Sequence, residues 1–179
     1  MIRIPHSAYA DMSAHAANVY PYECCGYITG TADPATWTVH RCRNIQNDLH
    51  ARDPRQYPRD ARTAYVFSQE DMTALFHGEF EPPAARVIGF YHSHPDHSAY
   101  FSEKDRLDAL TDWLDPEPGY LVLSVIKGRV EDLKWFQWGP DRETFEELTV
   151  EVLYNGISPI RLESVPDHLP RKQSHERSI

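Results

Sequence analysis

Between residues 7 and 20 the apolar side chains Tyr9, Met12, Ala16 and Val19 recur near the 3.6-residue period, which predicts a helix that Pro21 ends. The pattern then shortens. Cys24 to Thr29 is a compact, largely apolar run closed by Gly30, as expected of a buried strand. From Trp37 to Cys42 the alternation is two-residue. Trp37, Val39 and Arg41 fall on one face and Thr38, His40 and Cys42 on the other, a second strand after the Asp33-Pro34 turn.

Asn44 to Arg62 follows neither period, is polar and holds Pro54 and Pro58, so it reads as a long loop. Thr63 to Phe67 reads as a strand. Ser68 with Asp71 forms a capping pattern that opens a helix with Met72, Leu75 and Phe76 as its apolar face. Pro82-Pro83 marks a turn. Arg86 to Tyr91 is a strand that runs into His92-Ser93-His94-Pro95. Ser102 with Asp105 opens another helix carrying Leu107, Leu110 and Leu114, ended by the run from Asp115 to Gly119. Tyr120 to Ile126 is the most apolar strand, closed by a Lys127-Gly128 turn. Leu133 to Trp138 and Phe145 to Leu153 read as further strands. Helices interleaved with strands, with no internal repeat, predict an α/β sandwich: one mixed sheet flanked by helices. The expected division is one domain over 1–160 and a polar, disordered tail over 161–179.

Composition narrows the functional classes. At 179 residues with 41% apolar and 25% charged positions, the chain is an ordinary globular one. Its net charge of −9 disfavours long-range attraction to nucleic acid or an anionic membrane. No apolar run is long enough to span a bilayer, and the segment from Met1 to Pro5 lacks the apolar stretch of a secretory signal. Three cysteines, Cys24, Cys25 and Cys42, suit free buried thiols in a reducing cytoplasm better than a disulfide scaffold.

The densest chemistry lies in His92-Ser93-His94-Pro95-Asp96-His97, followed by Ser102 and Asp105. Strand residues i and i+2 point the same way, so His92 and His94 can aim both imidazoles at one point. Two imidazoles and a carboxylate make a catalytic-zinc ligand set. Asp105 is the candidate carboxylate, although it could equally serve only as the capping acid of Ser102. His97 is an alternative third ligand by proximity in sequence, and His77 reads as a solvated side chain. A hydrolytic metal site also needs a base, and Glu23 in Pro21-Tyr22-Glu23-Cys24-Cys25-Gly26 stands at the mouth of a buried strand.

Taken together, Glu23, then His92-x-His94-Pro95, then Ser102-x-x-Asp105 resembles the pattern of the JAMM (MPN+) metalloproteases. Ser102 and Asp105 stand eight and eleven positions after His94, as in that family. The opening Pro21-x-Glu23-x-Cys25-Gly26 resembles the short bacterial and archaeal members, and the likeness covers roughly Ile2 to Leu153. It implies a cytidine-deaminase-like sandwich, Zn²⁺ held by His92, His94 and Asp105, Glu23 as general base and acid, and Ser102 as donor to the oxyanion. Whether Ser102 acts as helix cap, oxyanion donor or both stays open at this level.

The resemblance further implies cleavage of the peptide or isopeptide bond after the C-terminal Gly-Gly of a ubiquitin-like protein or sulfur-carrier adduct. The segment from Asn44 to Arg62, with Arg52, Arg55, Arg59 and Arg62, is expected to line the substrate groove, with His97 and Tyr100 as weaker candidates for substrate contact. Two other readings compete: a zinc hydrolase of small peptides or amides with no ubiquitin-like partner, and a catalytically silent MPN scaffold. The intact ligand pattern disfavours the scaffold.

Overall fold

A computed structural model describes residues 1–112, 117–140 and 144–154; the expected boundary near 160 and the tail over 161–179 lie outside the described residues. The elements are β1 (Ile2–Pro5), α1 (His6–Val19), β2 (Cys25–Gly30), β3 (Thr38–Cys42), α2 (Gln46–Arg52), α3 (Gln69–His77), β4 (Arg86–Pro95), α4 (Glu103–Asp112), β5 (Gly119–Ile126), β6 (Arg129–Trp138), β7 (Phe145–Leu148) and β8 (Val150–Leu153). Six strands form a mixed sheet in the order β3-β2-β4-β5-β6-β7. Only β4 and β5 pair parallel in it, and α4 lies between them in the chain.

The alternation of strand side chains divides the core in two. On one face Ile28, Tyr91, Leu121, Leu123 and Trp135 pack against Ile4 and against Ala8, Met12 and Ala16 of α1. On the other, Cys25, Tyr27, Phe90, Tyr120, Val122 and Phe136 meet Phe67, Leu75 of α3 and Ala109 of α4. Buried on both faces, β5 is apolar almost throughout, as a central strand must be. The turn after it places Lys127 and Gly128 at φ 51° and 78°, the left-handed pair that joins two antiparallel strands tightly.

The expected mixed sheet with helices on its faces is present, and several local expectations are corrected. The segment from Asn44 to Arg62 is not uniformly loop, because Gln46–Arg52 is helical. Thr63 to Phe67 forms no strand; its only ladder contact is an isolated bridge from Phe67 to Asn44. Phe76 and Leu107, expected on buried helix faces, are 73% and 48% exposed; Leu75 is buried as expected, and on α4 the buried position is Ala109. Leu114 lies outside the described residues. Phe145 to Leu153 is two strands: β7 stays in the main sheet, whereas β8 turns away to pair parallel with β1, an element with no clear mark in the sequence. Ile2 N–H donates to the carbonyl of Thr149, the residue at the break, at 2.8 Å.

Candidate metal centre and its cleft

The ladder determines where the chemistry falls. β4 continues through the whole His-Ser-His-Pro run, so Phe90, His92 and His94 share one face while Tyr91 and Ser93 share the other. Pairing to β5 places His92 beside Val122 and His94 beside Ser124. On the opposite edge Cys25 pairs with His92, and extending that antiparallel register brings Glu23 level with His94. Ser93 secures this approach from the rear: its Oγ accepts from Cys24 N–H at 2.9 Å and its own N–H donates to Cys24 O at 3.1 Å.

α4 supplies the carboxylate. Asp105 N–H donates to Ser102 Oγ at 3.1 Å, and Asp105 Oδ2 accepts from Ser102 N–H at 2.8 Å, a reciprocal capping box. Capping does not consume Asp105, since its other oxygen, Oδ1, lies 3.3 Å from His92 Nε2. Oδ2 is 3.7 Å from His94 Nε2, and the two Nε2 atoms are 3.1 Å apart. The alternative between cap and ligand therefore dissolves, because one carboxylate can do both. Ser102 Oγ, accepting from Asp105, keeps its O–H proton free to donate.

These donors fit a dication. All three side chains are buried. His94 Nδ1 lies 3.2 Å from Ser98 O, which can only accept, so Nδ1 carries the proton and Nε2 presents a lone pair to the cluster. A single shared proton would satisfy one of the converging contacts; a metal ion satisfies all of them. Zinc–ligand bonds of about 2.0–2.2 Å in a tetrahedron put donors roughly 3.3–3.6 Å apart, close to the observed separations. His97 is exposed and stands apart from the cluster, as does His77.

Beside the cluster lies a cleft of about 340 Å³ whose lining includes Glu23, Tyr65, Tyr100, Ser102 and Asp105. Glu23 is 6% exposed. Burial, reinforced by the charge of Asp105, pushes its carboxyl up to about 8, against the pull of Arg59 and Lys104. For Asp105, burial opposes ionisation, but His92, His94 and Ser102 outweigh it and hold the carboxyl well below the usual carboxylate range. Two carboxyls in one site are thus driven in opposite directions, one toward holding a proton and one toward holding a cation.

Around the cluster, Tyr65 and Asn44 are contacts to which pattern reading gives no site role, whereas Tyr100 is expected near substrate. Tyr65 stacks on His92 with centroids 4.8 Å apart, and Tyr100 sits 4.7 Å from His94. Asn44 is a hub: its Nδ2 donates to Glu23 O at 3.0 Å and to Ala64 O at 3.1 Å, while its Oδ1 accepts from Gln46 and Val66 N–H. Glu23 N–H donates to Ala61 O at 2.7 Å. The backbone of Glu23 is therefore held by the segment from Asn44 to Ala64, and of the four arginines between Asn44 and Arg62, Arg59 and Arg62 line the cleft. Among the described residues no helix is long and apolar enough to cross a membrane.

Comparison with known proteins agrees with this arrangement. Residues 5–138 match the family of prokaryotic homologs of the JAB domain. A desampylase from Haloferax volcanii is 31% identical over 139 residues, covering 76% of this chain and 83% of that protein. A solution structure of a Salinibacter ruber protein has a TM-score of 0.55 at 26% identity, covering 89% of this chain and 95% of that one. Another, from Desulfitobacterium hafniense, has a TM-score of 0.56 at 24% identity, covering 86% and 93%, and shares the fold.

Proposed function

The chain belongs to the family of prokaryotic JAB-domain homologs and is a JAMM-type zinc hydrolase with isopeptidase chemistry; we propose that it cuts the peptide or isopeptide bond following the C-terminal Gly-Gly of a ubiquitin-like protein or sulfur-carrier adduct. The observation that carries this reading is the buried Glu23 carboxyl opening onto the same cleft as the converging His92, His94 and Asp105 donors. The Haloferax volcanii relative is a desampylase, which supports a ubiquitin-like modifier as the partner.

A Zn²⁺ held by His92, His94 and Asp105 supplies Lewis acidity toward the scissile carbonyl and a nearby water. The protein's own groups move the protons. Glu23 accepts one from the attacking water and returns it to the leaving amine, a task suited to a carboxyl whose affinity for protons is raised. The Ser102 hydroxyl, fixed by the capping box, donates to the carbonyl oxygen as negative charge develops there. Tyr65 and Tyr100 flank the histidines and limit water around them. A reducing cytoplasmic location belongs to the same reading, supported by three free, buried thiols.

The test is intact-mass analysis of a Gly-Gly-ended ubiquitin-like carrier from the same host, extended by a short peptide and incubated with the zinc-loaded protein. Loss of mass at the Gly-Gly junction, stopped by a strong chelator, is expected. An unchanged mass for both peptide-extended and lysine-linked carrier would refute the proposed substrate.

A further inference from the structure

From Tyr120 to Ile126 β5 is apolar except at one residue, Ser124, which is 3% exposed. A buried hydroxyl costs free energy unless it is bonded, and a β-branched apolar side chain would suit a central strand better. Alternation puts Ser124 on the face of Tyr120 and Val122, the cleft side of the sheet, and the parallel ladder pairs it with His94. Its Oγ–H donates to the carbonyl of His97 at 2.7 Å.

The chain held by this bond leads back to the donor cluster. β4 ends at Pro95, and Asp96 turns the backbone with a left-handed φ of 57°. Asp96 N–H donates to Val125 O at 2.7 Å, and its carboxylate accepts from Lys127 N–H at 2.9 Å and from Tyr20 O–H at 2.8 Å. These bonds fix where the turn leaves the sheet. Ser124 fixes the next residue, His97. Ser98 follows, with its carbonyl 3.2 Å from His94 Nδ1, and the Tyr100 ring centroid stands 4.7 Å from that of His94. Ser124 is thus linked, through two adjacent peptide units, to the Nδ1 edge of the His94 ring.

A neutral imidazole carries its proton on either nitrogen, and the acceptor it meets decides which. At Nδ1 that acceptor is Ser98 O. At Nε2, Asp105 Oδ2 stands 3.7 Å away and competes for the same proton. We infer that Ser124 is a positioning residue for His94: by holding the His97 carbonyl it keeps the Ser98 carbonyl on Nδ1, and so fixes the tautomer and direction of the ring whose Nε2 faces His92 and Asp105. The tautomer is set by protein groups alone. Its consequence for zinc rests on the reading of His94 as a ligand given above. Without the hydroxyl the turn is released at its middle, the proton is shared with Nε2, and the lone pair that faces the cluster is partly lost.

The test uses the full chain with isotope-labelled histidine, prepared metal-free and held above the ordinary histidine pKa of about 6.5. Long-range nitrogen–proton correlation spectra distinguish Nδ1–H from Nε2–H, and the His94→Ala variant identifies the signals of His94. The native chain is expected to show the His94 proton on Nδ1. Ser124→Ala is expected to show a mixture of the two tautomers, and Ser124→Thr, which keeps the hydroxyl, to return to the native pattern. Zinc affinity, measured by competition with a chromophoric chelator, should fall about ten- to a hundredfold in Ser124→Ala and recover in Ser124→Thr. A native tautomer in Ser124→Ala would overturn the inference whatever the affinity. Equal changes in the alanine and threonine variants would also overturn it, because the hydroxyl would not be their cause. The ligand reading fails separately: native zinc affinity in His94→Ala would remove His94 from the ligand set, while the spectra of the metal-free chain would still decide the role of Ser124.

Discussion

Two segments meet at the cleft and are held there by different physics. The end of β4 lies in the middle of the sheet, so His92 inherits its direction from two ladders, to β2 and to β5, and His94 from the β5 ladder. The segment over 44–67 belongs to no ladder beyond one bridge, and its shape comes from side chains that replace one. Asn44 bonds four backbone groups, and Gln46 and Asn47 each bind one more. The first segment supplies two of the donors that could hold a metal ion; the second holds the proposed base. The metal site should therefore be insensitive to the loop, whereas the rate should depend on both.

The largest effect should come from the ladder side. His92→Ala or His94→Ala is expected to reduce bound zinc, by elemental analysis after dialysis, to background and to abolish turnover. A full complement of zinc in either variant would remove it from the ligand set. Next is Glu23→Gln, which should retain zinc and thermal stability while lowering the rate of carrier cleavage by about 10²–10⁴-fold. Asn44→Ala tests the loop side. Loss of its bonds should misplace Glu23 and lower kcat by roughly ten- to a hundredfold, with zinc content unchanged; loss of metal in this variant would mean the two segments are not separable.

The same contrast governs how much could be read in the sequence. β4 was legible because two-residue alternation is sufficient to aim His92 and His94, and because Ser102 and Asp105 mark a helix start whose local geometry returns the carboxylate to them. α2 carries one strong apolar residue, Leu49, between polar neighbours, so no period marks it. Tyr65 and Phe67 have strand propensity, yet the backbone groups around them are taken by Asn44. Phe76 and Leu107 fit an apolar face by spacing, but Phe76 lies at the edge of a face whose centre is Leu75, and on α4 Ala109 is the residue that faces the core. β1 is four residues long and finds its partner at the far end of the domain, an arrangement that no local window contains.

A smaller effect sharpens the contrast between the two faces of β4. Behind His92 and His94, Tyr91 OH bonds His15 Nδ1 of α1 at 2.8 Å, and Gly26 leaves room for the tyrosine, since a Cβ there would fall 2.5 Å from its ring. Burial, with a contribution from Arg41, lowers the His15 pKa from 6.5 to about 4. Between these values the unfolded chain binds a proton that the folded chain rejects. The stabilisation is therefore complete above pH 6.5 and declines as the pH falls toward 4. Urea titrations at the two ends of that window should show a loss in the native protein exceeding that in His15→Gln by on the order of 1–3 kcal/mol. Equal losses would show that His15 titrates normally.

The most direct test of the metal centre is anomalous diffraction at the zinc edge from crystals of zinc-loaded Glu23→Gln. The predicted result is one strong peak within about 2.0–2.2 Å of His92 Nε2, His94 Nε2 and an Asp105 carboxylate oxygen. A peak on other ligands, or coordination that leaves out Asp105, would contradict the account.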